Sequence, residues 1–127
     1  MKLVIGGYTQ GKLQHVLHQY NVTTTMIYDA GLPENSSQQG ITIVINHFHD
    51  WVRARLSDGG NPAEEIFQFV DQYPDCVIIS NEIGNGIVPM DAFERTYREQ
   101  TGRILVALAD RAEEVERVIC GIGQKIK

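Results

Sequence analysis

Along the chain, short unbroken apolar runs alternate with stripes of apolar residues at helical spacing. Residues 2–5 form a run that ends at Gly6-Gly7 and reads as a buried strand. Leu13, Val16, Leu17 and Tyr20 then fall at i, i+3, i+4 and i+7, one face of a helix. Residues 24–28, rich in β-branched and aromatic side chains, read as a second strand. Residues 29–40 are dense in turn formers and read as a mobile loop. Residues 41–45 have almost no polar interruption, the pattern of a parallel strand covered on both faces.

A helix is expected over 49–56, ending near Ser57-Asp58-Gly59-Gly60. Asn61-Pro62 begins another, because asparagine caps and proline suits the first helical position; its apolar face is Ile66, Phe67, Val70 and Tyr73. Residues 76–80 read as a strand, 81–89 as a glycine-rich loop and 90–112 as a long helix. That helix carries a stripe of Phe93, Tyr97, Ile104, Leu105 and Leu108, with Gly102 in its middle. A mid-helix glycine costs about 1 kcal/mol against alanine, which close helix packing or a kink would explain. Residues 115–120 supply a last strand. The order β-α-β-β-α-α-β-α-β predicts an α/β fold, a mostly parallel sheet with helices on both faces. Ligands of such sheets bind at the carboxyl ends of the strands, which directs attention to the loops at 6–12, 29–40, 46–49 and 81–89.

The length of 127 residues suits one domain spanning 1–127, and 43% apolar residues allow a core without metals or disulfides. Cys76 and Cys120 sit in apolar runs and read as buried free thiols. No run approaches the roughly 20 apolar residues of a membrane span, and the N-terminus is too short for a signal peptide, so a cytoplasmic location with no membrane partner is expected. The net charge of −5, with no block of lysine or arginine, argues against nucleic acid as a partner.

Gly6-Gly7-Tyr8-Thr9-Gln10-Gly11-Lys12 matches G-x-x-x-x-G-K, the front of a P-loop, and lies between a strand and an amphipathic helix. Glycines let backbone amides curl round phosphate oxygens, and the lysine reaches the β- and γ-phosphates. The following position normally supplies a hydroxyl to Mg²⁺; Leu13 has none, and Thr9 offers its hydroxyl from a different place. The alternative is a plain strand–turn–helix junction bearing a surface lysine.

Val77-Ile78-Ile79-Ser80-Asn81-Glu82-Ile83-Gly84-Asn85-Gly86-Ile87-Val88-Pro89 resembles the V-S-N-E-V-G-x-G-I-V-P signature of the adenosylcobinamide kinase/adenosylcobinamide-phosphate guanylyltransferase family. Arg95, Arg98, Gly102 and Arg103 fall where that family has R-x-F-R-x-x-x-G-R, and residues 118–127 resemble its closing strand, glycine and terminal lysine. The opening loop resembles G-G-x-x-S-G-K-S except at Gln10 and Leu13. The resemblance implies a RecA-like P-loop fold, a homo-oligomer such as a trimer, ATP or GTP with Mg²⁺, and a nucleotide or corrinoid small molecule as ligand. It implies phosphorylation of a corrinoid side-chain hydroxyl, followed by GMP transfer through a guanylylated histidine.

Two parts of that apparatus are replaced here. The family's histidine lies in a helical segment after the second strand, whereas residues 29–40 are short and contain no histidine. The third strand of the family ends in L-D-C-L-T-x-W; here Ile45-Asn46-His47-Phe48-His49-Asp50-Trp51 keeps the tryptophan but has Asn46 for the aspartate. With Leu13, these departures describe a shortened, degenerate member. One expectation is nucleotide or phosphate binding without turnover, beside a full-length relative. A second is a kinase-only enzyme using Lys12, Glu82 and Asp50, and a third an oligomeric scaffold with no nucleotide.

The expected nucleotide-binding residues are Gly6, Gly7, Tyr8, Thr9, Gln10, Gly11, Lys12 and Leu13, with Lys12 and Glu82 as the catalytic pair. Asn81, Glu82, Gly84, Gly86 and Pro89 form the second loop. Glu82 either acts as a base or holds that loop in shape through its amides. Gly84 and Gly86 permit positive φ or close backbone approach, and Pro89 starts the long helix. His15 and His18 flank the first helix, and His47 and His49 follow a strand; no carboxylate or cysteine set completes a metal site, which leaves neutral histidines or a proton carrier in the cleft. Arg95 and Glu99 are spaced as an i, i+4 pair, Glu94 reads as part of a solvated face, and Arg95, Arg98 and Arg103 suit a subunit contact or an anion.

Overall fold

A computed structural model of the chain describes residues 1–34, 40–83 and 91–127. The apolar runs become β1 (Lys2–Gly6), β2 (Thr25–Asp29), β3 (Thr42–Asn46), β4 (Val77–Asn81) and β5 (Glu114–Ile119). Between them lie α1 (Lys12–Leu17), α2 (Phe48–Ser57), α3 (Pro62–Gln72) and α4 (Ala92–Arg111). A further strand, β6 (Ile122–Lys125), closes the chain. The six strands form one sheet in the order β2-β3-β4-β1-β5-β6, parallel throughout except for the antiparallel β5–β6 pair. The expected mostly parallel α/β architecture is therefore the observed one.

Alternation along the central strands splits the core in two. Leu3, Ile43, Ile45 and Ile78 face α2, α3 and α4, where Phe48, Ile66, Ile104 and Leu108 cover them completely or nearly so. Val4, Val44, Val77, Ile79 and Val118 face the other way, onto Val16 of α1. β3 and β4 are buried along most of their length, as their unbroken apolar runs require. β2 lies at the sheet edge and leaves Met26 and Ile27 exposed.

Several expectations change at this level. β6 was not expected: Cys120 and Gly121 both adopt left-handed φ (52° and 76°), the two-residue turn that lets antiparallel strands reverse. Cys120 is consequently exposed at the turn, not buried; Cys76 is buried, and burial pushes its thiol up to about 12. α1 stops at Leu17, so Tyr20 packs on the core from beyond the helix. In α3 the fully inward aromatic is Phe69, with Phe67 and Tyr73 at the margin. α4 begins at Ala92 under an Asp91 cap that accepts from the amides of Phe93 and Glu94; Pro89, expected to start it, lies outside the described residues. In its stripe Thr101 is buried, whereas Phe93 is partly exposed. Among the described residues a Cβ at Gly102 would meet nothing within 4 Å, so close packing does not account for this glycine; α4 is continuous through it.

Candidate functional site

β1 ends where the glycine loop begins, and tight packing dictates its residues. Gly6 pairs with Asn81 of β4, and its carbonyl accepts the Glu82 amide at 2.9 Å. A Cβ on Gly6 would stand 2.6 Å from the Val118 carbonyl oxygen, closer than real contacts allow. Thr9 and Gly11 turn the loop through left-handed φ of 55° and 83°. The β5–β6 turn braces it from outside: the Cys120 amide donates to Gln10 Oε1 at 2.7 Å, and the Gly121 amide to the Gln10 carbonyl at 2.7 Å. Gln10 is thus the brace of the loop.

Lys12 opens α1 and is only 8% exposed. Its Nζ donates across the loop to the Gly7 carbonyl at 2.7 Å. Burial lowers its pKa, and the negative charge of Glu82 opposes that shift. The lysine sits in the wall of a cavity of about 340 Å³ formed by residues 8–14 and the carboxyl ends of β3 and β4. Leu13 and Asn46 line the same cavity. The sequence-predicted loop residues 8–13 are therefore brought together round one space.

A second cavity of about 470 Å³ adjoins the first, sharing Tyr8, His47, His49 and Asn81, and extends to Asp50, Arg53, Glu82, Glu94, Tyr97 and Arg98. Glu94, partly exposed as expected, is also paired: it accepts from both terminal guanidinium nitrogens of Arg53, one of them at 3.0 Å, while Arg53 lies 4.2 Å above the Tyr97 ring. Glu82 is gripped by Arg117 of β5 through two hydrogen bonds of 2.5 and 3.1 Å. Its carboxylate thus has a cationic partner that sequence spacing does not reveal. Glu99 pairs with Arg103 at 2.6 Å. Gly84, Gly86 and Pro89 of the expected second loop lie outside the described residues.

At the ends of β2 and β3, Asp29 stands opposite Asn46. Asp29 Oδ1 accepts from Asn46 Nδ2 at 3.1 Å and from His47 Nδ1 at 2.6 Å. His47 holds a left-handed backbone (φ 53°, ψ 47°), an uncommon state for a residue with a Cβ, as it starts α2. Buried His49 accepts the Asn81 amide at Nδ1, 3.1 Å away. Burial lowers its pKa, opposed by Asp50, so the ring is neutral at neutral pH. Asp29 was not singled out from sequence; its place at a strand's carboxyl end, one strand over from Asn46, is the signal that reaches it.

The donor set does not fit a Mg²⁺ ion as the resemblance places it. Leu13 packs its apolar side chain against the α1-side core, and the Asn46 amide nitrogen is turned to Asp29. Among the described residues no three His, Cys, Asp or Glu side chains converge as a metal site. His15 is committed elsewhere, to Glu116 at 2.5 Å.

The family model described as "Cobinamide kinase / cobinamide phosphate guanyltransferase" matches residues 34–126, a span that begins beyond the Lys12 loop. Over 51 residues the chain is 47% identical to the bifunctional adenosylcobalamin biosynthesis protein CobU of Salmonella typhimurium, covering 40% of this chain and 28% of the relative. CobU of Escherichia coli gives the same identity and coverage. The bifunctional adenosylcobalamin biosynthesis protein CobP of Pseudomonas aeruginosa is 31% identical over 65 residues, 50% of this chain and 38% of the relative. The matched segment thus spans less than a third of the two enterobacterial relatives.

Proposed function

The chain belongs to the cobinamide kinase/cobinamide phosphate guanyltransferase family, and from that premise we propose that it binds a nucleotide or phosphorylated corrinoid without guanylyl transfer. The observation that carries the reading is Lys12: a nearly buried ammonium in the wall of a cavity at the carboxyl ends of parallel strands, on a loop built by Gly6 and Gly11. A desolvated cation held on one backbone carbonyl favours an incoming anion, because a charge-assisted contact to phosphate is stronger than a neutral one. Loss of guanylyl transfer is supported by the residue 29–40 connection, which contains no histidine.

Titration calorimetry with ATP, GTP and adenosylcobinamide phosphate tests this reading. Heat is expected with at least one of them. Lys12→Ala is expected to weaken binding about 10- to 100-fold, the worth of one charged hydrogen bond. No heat at millimolar concentration with any of the three overturns the reading. With α-labelled GTP, no label is expected on the denatured protein. Sedimentation velocity checks the homo-oligomer that accompanies the proposal.

A second reading, a kinase-only enzyme, is favoured by the adjoining cavity, where Asp50 and Glu82 stand beside the Lys12 space. Transfer of labelled phosphate to adenosylcobinamide, lost in Lys12→Ala, is its expected signature.

A further inference from the structure

His47 and His49 both line the two adjoining cavities, and their rings meet edge to face with centroids 5.8 Å apart. Their fixed partners assign opposite tautomers. A carboxylate only accepts, so the His47 Nδ1 2.6 Å from Asp29 Oδ1 carries a proton in preference to accepting from Asn46 Nδ2 at 3.3 Å, and in the neutral ring Nε2 is then the acceptor. A backbone amide only donates, so His49 Nδ1, 3.1 Å from the Asn81 nitrogen, is bare and Nε2 carries the proton.

Among the described residues nothing completes a hydrogen bond to either Nε2. The Asp50 carboxylate approaches that of His49 only to 3.6 Å, beyond hydrogen-bond reach. The two histidines that line both cavities therefore offer, in their neutral forms, one acceptor and one donor. His47 takes its uncommon left-handed φ of 53° at the N-cap of α2, where it also meets Asp29.

We propose that His47 and His49, in complementary tautomers set by Asp29 and the Asn81 amide, form a subsite for an alcohol hydroxyl where the two cavities meet. A hydroxyl is the small group that donates and accepts at once: its proton goes to His47 Nε2 and its oxygen receives the His49 Nε2–H. Asp29 is a positioning residue in this arrangement. The inference rests on the proposed function only in taking the Lys12 cavity as the neighbouring phosphate site.

Nitrogen-15 NMR of the imidazoles at mildly alkaline pH tests the wild-type protein directly. His47 is expected as the Nδ1–H form and His49 as the Nε2–H form, with Asp29→Asn abolishing the preference of His47 alone. Adenosylcobinamide, which carries a free hydroxyl, is expected to shift both Nε2 resonances. Its phosphate ester, which lacks that O–H, is expected to leave His47 Nε2 unmoved. By calorimetry, His47→Phe is expected to weaken adenosylcobinamide binding about tenfold more than it weakens ATP binding, the scale of one hydrogen bond. The opposite tautomer at either ring, or adenosylcobinamide that leaves both resonances in place, overturns the subsite. Absence of ATP heat overturns the phosphate site instead, and the tautomers still decide the hydroxyl subsite.

Discussion

Gly6 and Glu116 set limits on what single positions tolerate. At Gly6 an added methyl group would overlap a backbone oxygen, which cannot swing away as a side chain does. Gly6→Ala is expected to cost about 1–3 kcal/mol, the range of overpacked cores, read as a lower urea midpoint with unchanged slope. Glu116, 6% exposed, faces Lys2, His15 and Gln19. Burial pushes its carboxyl up, but hydrogen bonds from Lys2 and His15, the Lys2 charge and a contact from Gln19 outweigh it and hold it at about 2. Glu116→Gln is expected to cost about 1–3 kcal/mol at neutral pH, because it weakens charged hydrogen bonds in a dry place. A Cβ on Gly123 beside it would lie 2.3 Å from the His15 ring, so the His15 and Glu116 side chains would have to shift.

Among the elements, caps and glycines give measurable handles. Asn61 Oδ1 accepts the Glu64 amide at 3.2 Å and opens α3, as the Asn-Pro pair predicts. Asp91 does the same for α4, and Asp91→Ala is expected to cost about 1 kcal/mol, seen as a lower Tm. Gly102 sits in an unbroken helix with open space where a methyl would go. Gly102→Ala is therefore expected to stabilise the isolated chain by about 1 kcal/mol. Existence and order of β1 to β5 and of all four helices follow from apolar period and caps. β6 does not, because four residues with Ile122 exposed carry little hydrophobic signal and depend on the Cys120-Gly121 turn. Phe69 in place of Phe67 reflects the direction from which the sheet meets α3, which periodicity along one helix leaves open.

Across the whole molecule, the Glu116 cluster ties β1, α1 and β5 together and makes stability depend on acid. Its folded value of about 2 lies below the ordinary 4.5, so the unfolded chain takes up the proton first. The stabilisation is fully present above about pH 4.5 and is lost as pH falls toward 2. Thermal unfolding across that window is expected to show a steep fall in Tm for the wild type and a shallower one for Glu116→Gln. Among the described residues no helix is long and apolar enough to cross a membrane.

The chain's own residues determined the strand–helix alternation, the parallel sheet and the glycine loop closing on Lys12, because apolar period and glycine spacing are local properties. Lineage was likewise written in a contiguous run around Asn81 and Glu82. Only the tertiary structure decided that Arg117 grips Glu82, that Gln10 is held by the β5–β6 turn, and that Asp29 and Asn81 orient two histidines oppositely. Those partners are far apart along the chain or on neighbouring strands, and strand order and register bring them together. A hydrogen bond between distant residues leaves no period in a sequence.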